Sequence, residues 1–147
     1  MEAARCFSGE TMTTNFNFRR RAKPNVHLRI WNVTRKTELA ASVELANHGA
    51  ARRKGLLGRD SLFAGEGLWI LPCRAVHTVG MRFPIDLVYL DRDLRVRKVR
   101  SNVYPWRLSA CVSAHSVLEL APGTIQESQT NRGDQLKISS PVAPAGS

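Results

Sequence analysis

The chain has 147 residues and a mass of 16.4 kDa, the size of one ordinary domain, since two cores cut from so short a chain would each need staples. Hydrophobic residues at 43% and charged residues at 23% exclude a wholly disordered chain, and no apolar run approaches the roughly 18 residues of a membrane span. With 22 Lys+Arg against 12 Asp+Glu the net charge is +10, which favours polyanions as partners without choosing a fold.

Residues 1–25 read as a flexible basic extension. Arg19, Arg20, Arg21 and Lys23 precede no apolar stretch, so neither a secretory nor a twin-arginine signal is expected, and the location inferred is cytoplasmic. Met12 is an alternative start. At the other end, 139–147 (SSPVAPAGS) lacks charge and reads as a disordered tail. The single domain is therefore 26–138, with 17 basic and 10 acidic residues, or +7.

Within it, Val26, Leu28 and Ile30 alternate with His27, Arg29 and Trp31, and Leu39, Ala41, Val43 and Leu45 with Ala40, Ser42, Glu44 and Ala46, which predicts two half-buried strands that pair. Asn47 is placed to cap a short helix ending near Gly55 or Gly58. A strand around Leu68–Leu71 is followed by a loop from Pro72 to Pro84. Ile85–Leu90, Asp91-Arg92-Asp93 and Leu94–Val99 read as a hairpin at the centre of the sheet, with a bulge near Arg97-Lys98 where the apolar phase changes. Val117–Leu120 is another strand. Thr124-x-x-Glu127 then has capping-box spacing before a second short helix closed by Gly133, and Gln135–Ile138 is the last strand. The fold class expected is α+β: a compact, mostly antiparallel β-sheet or barrel-like core with two short helices.

Several constellations could carry chemistry. Cys73 and His77 stand four apart, as do Cys111 and His115, and two such pairs would supply four N/S zinc ligands. The spacing is unlike that of zinc fingers, and Cys73 and Cys111 read first as small buried hydrophobes. No disulfide is expected if the thiols stay in a reducing cytosol. Cys73 and His77 could also form a nucleophile and base. Asp86 shares strand parity with Val88 and Leu90, so it should face an apolar layer and need backbone amides or an Arg such as Arg82 as partners. Arg52, Arg53, Lys54 and Arg59, with Arg92 to Arg100, read as solvated faces, giving at most weak, non-specific nucleic-acid binding. Gly65, Gly67, Gly123 and Gly133 fit no phosphate loop and read as turn residues.

Taken in order, Arg53-Lys54-Gly55-Leu56-Leu57-Gly58-Arg59, Cys73 to Met81, Pro84-Ile85-Asp86, Leu118 to Gly123 and Gly133-Asp134 resemble the bacterial and archaeal domain of unknown function family 192, also called uncharacterised protein family 0127. The resemblance implies a small β-rich α+β domain with no established activity and no predicted cofactor. Many relatives carry an export signal or lipid anchor and Trp-Met-Lys-Asn at the segment aligned with His77 to Met81; this chain is similar to the cytoplasmic His-Thr branch.

The functional expectation is a binding module with a polar loop site built from Arg59, Cys73, His77, Thr78, Asp86 and Glu119, taking a small ligand or an acidic partner. The alternative is a small thiol-dependent or metal-assisted enzyme using Cys73 and His77, with Cys111 and His115 as further metal candidates.

Overall fold

The computed structural model describes residues 5–6, 27–54, 56 and 58–140. Strand β1 is the two-residue segment Arg5–Cys6; the remainder of the N-terminal extension and most of the tail lie outside the described residues. Strand β2 (His27–Asn32) alternates exposed and buried residues, with Leu28 and Ile30 inward, and it pairs antiparallel with β3 (Thr37–Ala46) as the alternation predicts. Helix α1 (Gly49–Lys54) leads to β4 (Glu66–Ile70), which lies parallel to β3. After β5 (Ala75–His77), the hairpin of β6 (Ile85–Leu90) and β7 (Val96–Val103) follows, then β8 (Leu108–Ala110), β9 (Ser116–Leu120), α2 (Thr124–Ser128) and β10 (Leu136–Ser139).

Seven strands form one sheet in the order β10-β2-β3-β4-β9-β6-β7, and β1-β5-β8 form a smaller one. This corrects the expected fold class. The β3–β4 pair makes the large sheet mixed, and the sheet does not close into a barrel, because its terminal strands β10 and β7 meet only at an isolated bridge, Arg95 to Gln135. Nor do two helices layer the large sheet: α2 contacts β3 and β7, while α1 lies against β1 and reaches the apolar cluster only through Ala51. The β6–β7 hairpin, expected at the centre, sits at one end of the order. Its bulge does fall at Arg97, where the register steps from Tyr89–Lys98 to Leu90–Val96.

Two apolar clusters occupy opposite faces of the large sheet. One gathers Leu56, Leu62, Leu68, Ile70, Val76, Met81, Ile85, Leu87, Tyr89 and Val117 beneath the small sheet. The other gathers Leu28, Ile30, Val43, Val88, Leu90, Leu118, Leu120 and Ile125. Strands β6 and β9 lie between them and are buried at every position, which explains their nearly continuous apolar runs. Gly67 is not a turn residue. It lies within β4, where an added Cβ would sit 2.8 Å from the Leu120 side chain and 2.9 Å from the Glu119 carbonyl, so its missing side chain lets β4 lie close against β9.

The expected capping box does not form. Gly123, with φ 92°, is the N-cap of α2 and Thr124 lies inside the helix. The free amide of Ile125 instead donates to Asp86 Oδ2 at 2.9 Å, so the cap comes from a strand rather than from the helix's own sequence.

Candidate functional site

Strand β9 places Glu119 opposite Leu87 of β6 and Leu68 of β4. Its side chain therefore enters the apolar cluster beneath the small sheet, where it is fully excluded from solvent. Neither carboxyl oxygen has a hydrogen-bond partner among the described residues. Burial raises the carboxyl from an ordinary 4.5 to about 8, with Arg59 opposing the rise. The side chain is thus a neutral acid at pH 7, able to donate one hydrogen bond and accept others.

Two further hydroxyls join it. Tyr89 shares the Leu87 face of β6 and is a diagonal neighbour of Glu119 across the β6–β9 pair. Its phenol is buried, and burial pushes it up to about 12, moderated by the nearby Ser109 hydroxyl. Ser109 is the one inward residue of β8 and is buried beside Tyr89. A carboxylic acid and two hydroxyls thus lie together between the two sheets; the hydroxyls of Tyr89 and Ser109 are close enough to influence each other, while the Glu119 carboxyl has no partner among the described residues. Leaving such a group unpaired costs about 1–3 kcal/mol.

At the edge, Arg59 pairs with Glu44 of β3 at 2.9 Å, both about one-third exposed. Leu56 and Leu62 on either side of Arg59 are buried in the same cluster as Glu119's neighbours. Leu56 and Leu62, with the Arg59–Glu44 pair, therefore border this face.

The expected constellation is only partly assembled. Arg59 and Glu119 come within electrostatic reach. Asp86 goes to the opposite face, because it stands directly across from Leu120 and not from Glu119. There it accepts hydrogen bonds from the Asn102 and Ile125 amides, both at 2.9 Å, which is the backbone satisfaction its parity predicts. Arg82 is not its partner and instead meets Asp60 at 2.5 Å. Thr78 ties the following turn: its hydroxyl donates to Tyr104 O at 2.7 Å and accepts from Arg107 N at 2.9 Å. Its carbonyl accepts from Trp106 N at 3.0 Å, holding Trp106 at φ 63°. His77 is buried in β5, opposite Leu108.

Cys73 is disulfide-bonded, which corrects the expectation of reduced thiols and leaves it no thiolate for nucleophilic or metal chemistry in this state. Cys111 is a free thiol 3.5 Å from the Ser113 hydroxyl. The two Cys-x-x-x-His segments do run side by side, with Cys73 N donating to His115 O and Cys111 N to Arg74 O. Among the described residues, however, no three His, Cys, Asp or Glu side chains are placed to hold a metal.

Sequence reasoning missed Glu44, Tyr89 and Ser109. The phase of Tyr89 relative to Asp86 was a usable signal, since odd positions of β6 face away from Asp86; Ser109 lay in a strand too short to recognise. A second polar cluster was also missed. Asp134 Oδ2 accepts from Asn32, Arg35 and Asn131 at 2.9–3.0 Å. Burial would raise its carboxyl, but bonds from Arg35, Asn32 and Asn131 outweigh this and hold it below its ordinary value. That cluster has its partners and fastens the ends of β2 and β10.

The fold and this buried polar centre define a small mixed-sheet α+β domain whose unsatisfied groups lie between two sheets. Residues 31–138 match the family model of DUF192, described as an uncharacterized ACR, and the chain belongs to that family. Among solved structures it is similar to a proposed transcription regulator of Sinorhizobium meliloti 1021, with 22% identity over 78% of this chain and 93% of that one and a TM-score of 0.67. It is also similar to a protein of unknown function from Novosphingobium aromaticivorans DSM 12444, with 22% identity over 77% of this chain and 84% of that one and a TM-score of 0.66. At such identity these likenesses establish the fold alone. No curated protein matches the chain significantly. Among the described residues no helix is long and apolar enough to cross a membrane.

Proposed function

We propose that this domain is a binding module for a small polar ligand, held between the two sheets by Glu119, Tyr89 and Ser109, with the Arg59–Glu44 pair at its edge. The observation that carries the reading is Glu119, a fully buried carboxyl without a hydrogen-bond partner among the described residues. An interior position serving packing alone is filled at lower cost by Leu or Met. A neutral acid beside two hydroxyls complements a ligand bearing a carbonyl, carboxamide or hydroxyl group. The thiol-enzyme alternative gains nothing from Cys73, which is disulfide-bonded. That bond, typical of oxidising compartments, also weighs against the cytoplasmic location inferred from the N-terminal composition and the His77-Thr78 motif.

Native mass spectrometry of the protein purified from its own cells tests this reading. Wild type is expected to carry a small molecule, and Glu119→Leu to lack it while being more stable than ligand-free wild type by about 1–3 kcal/mol at pH 7. A Glu119→Leu variant less stable than ligand-free wild type, or equal ligand occupancy in both proteins, would make Glu119 a structural residue.

A further inference from the structure

Both sheets end in an open strand edge on the same side of the molecule. β7 terminates the large sheet and β8 terminates the small one. Between them runs a groove of about 580 Å³, lined by Arg97 and Lys98 of β7, by Ala110 at the end of β8, by Val112 in the turn that follows it, and by Arg132. On β8, Cys111 N bonds Arg74 O at 2.8 Å and Arg107 O accepts from Thr78 N at 2.9 Å. The odd positions therefore face β5, and by antiparallel alternation the amides and carbonyls of Leu108 and Ala110 point away from it, along the edge where Ala110 lines the groove. Ala110 O is met there not by a strand but by the Lys98 ammonium, at 2.7 Å. Exposed apolar side chains flank this edge: Leu108 of β8 is 70% exposed and Val112, in the turn after it, 88%. An edge of this kind is a template for another strand.

We propose that this groove takes an extended acidic peptide segment of a partner protein, added as a strand to the free edge of β8. Main-chain groups of the peptide would pair with Leu108 and Ala110 in place of Lys98, which then turns with Arg97 and Arg132 toward the peptide's carboxylates. Alternate apolar side chains of the peptide would lie on Leu108 and Val112. Charge selects the occupant. A second copy would bring three more cations onto these three, and the chain's own N-terminal segment carries Arg19, Arg20, Arg21 and Lys23, so neither complements the groove. Nucleic acid and anionic lipid would meet the cations but leave the strand edge unused.

The test is fluorescence anisotropy with the full chain and a labelled octapeptide of alternating Glu and Val. The expected result is saturable binding, weakened about tenfold or more by Arg132→Glu and by Arg97→Glu, and lost when the peptide is N-methylated at alternate residues so that it cannot pair. Arg97 also lies 3.7 Å from Asp91, so Arg132→Glu, whose side chain makes no ion pair among the described residues, is the decisive variant if Arg97→Glu unfolds. No binding, binding indifferent to Arg132→Glu or to N-methylation, or tighter binding of oligothymidylate or phosphatidylglycerol vesicles would overturn the proposal.

Discussion

Replacing Glu119 by Gln isolates the proton that burial keeps on the carboxyl. In the folded chain the group titrates near 8, whereas 4.5 is its ordinary value. Between those values the folded state holds a proton that the unfolded state has released, so stability must fall as pH rises, at about 1.4 kcal/mol per pH unit. The contribution is fully present below about pH 4.5 and gone above about pH 8. From pH 5 to pH 8 wild type should therefore lose about 4 kcal/mol relative to Glu119→Gln, which has no proton to release. Urea unfolding at four pH values across this range gives both curves, and the other titrating groups cancel in the difference. Parallel curves would show that the Glu119 carboxyl is ionised, or otherwise satisfied, in the folded protein, and the reasoning from burial would fail.

Other consequences are independent of ligand. Asp86→Ala strips the acceptor from two backbone amides and should cost about 2–4 kcal/mol in denaturant unfolding; a loss below 1 kcal/mol would mean that those amides find other partners. Gly67→Ala should destabilise by about 1–3 kcal/mol, because its Cβ meets Leu120 and backbone within 3 Å, and an unchanged thermal midpoint would contradict the tight β4–β9 approach. In peptide mapping, Cys111 should alkylate in the native, unreduced protein and Cys73 only after reduction; modification of Cys73 without reductant would exclude its disulfide.

Strand phase was legible in the sequence where one face is apolar and the run is long. The β2–β3 pairing follows from period-2 alternation, although β3 changes phase and leaves Ala41 exposed, and the β6–β7 hairpin follows from two apolar runs about Asp91-Arg92-Asp93, its bulge at Arg97 from the phase change of the second run. β5 and β8 have three residues each, too few for any period, and β8 reverses the usual pattern by turning Ser109 inward and Leu108 outward. Strand order was not legible either, because the parallel β3–β4 contact is made across a helical connection. That hidden order decides the site. Asp86 and Glu119 are both single acids in apolar strands, and only the register that sets Leu120 against Asp86 shows that they point to opposite faces. The motif spacing made Arg59 and Glu119 candidates together, but it could not show that Glu119 lies in mid-strand without a partner.

The most direct test of the binding-module reading is a fragment screen read by NMR on protein carrying 13C at the glutamate carboxyl, using small amides, hydroxy acids and lactams at pH 6 to 7. The account predicts that at least one such fragment shifts the Glu119 carboxyl resonance saturably, and that the same fragment fails to bind folded Glu119→Leu. If no fragment moves that resonance, or if those that bind do so equally well in Glu119→Leu, Glu119 is not part of a ligand site.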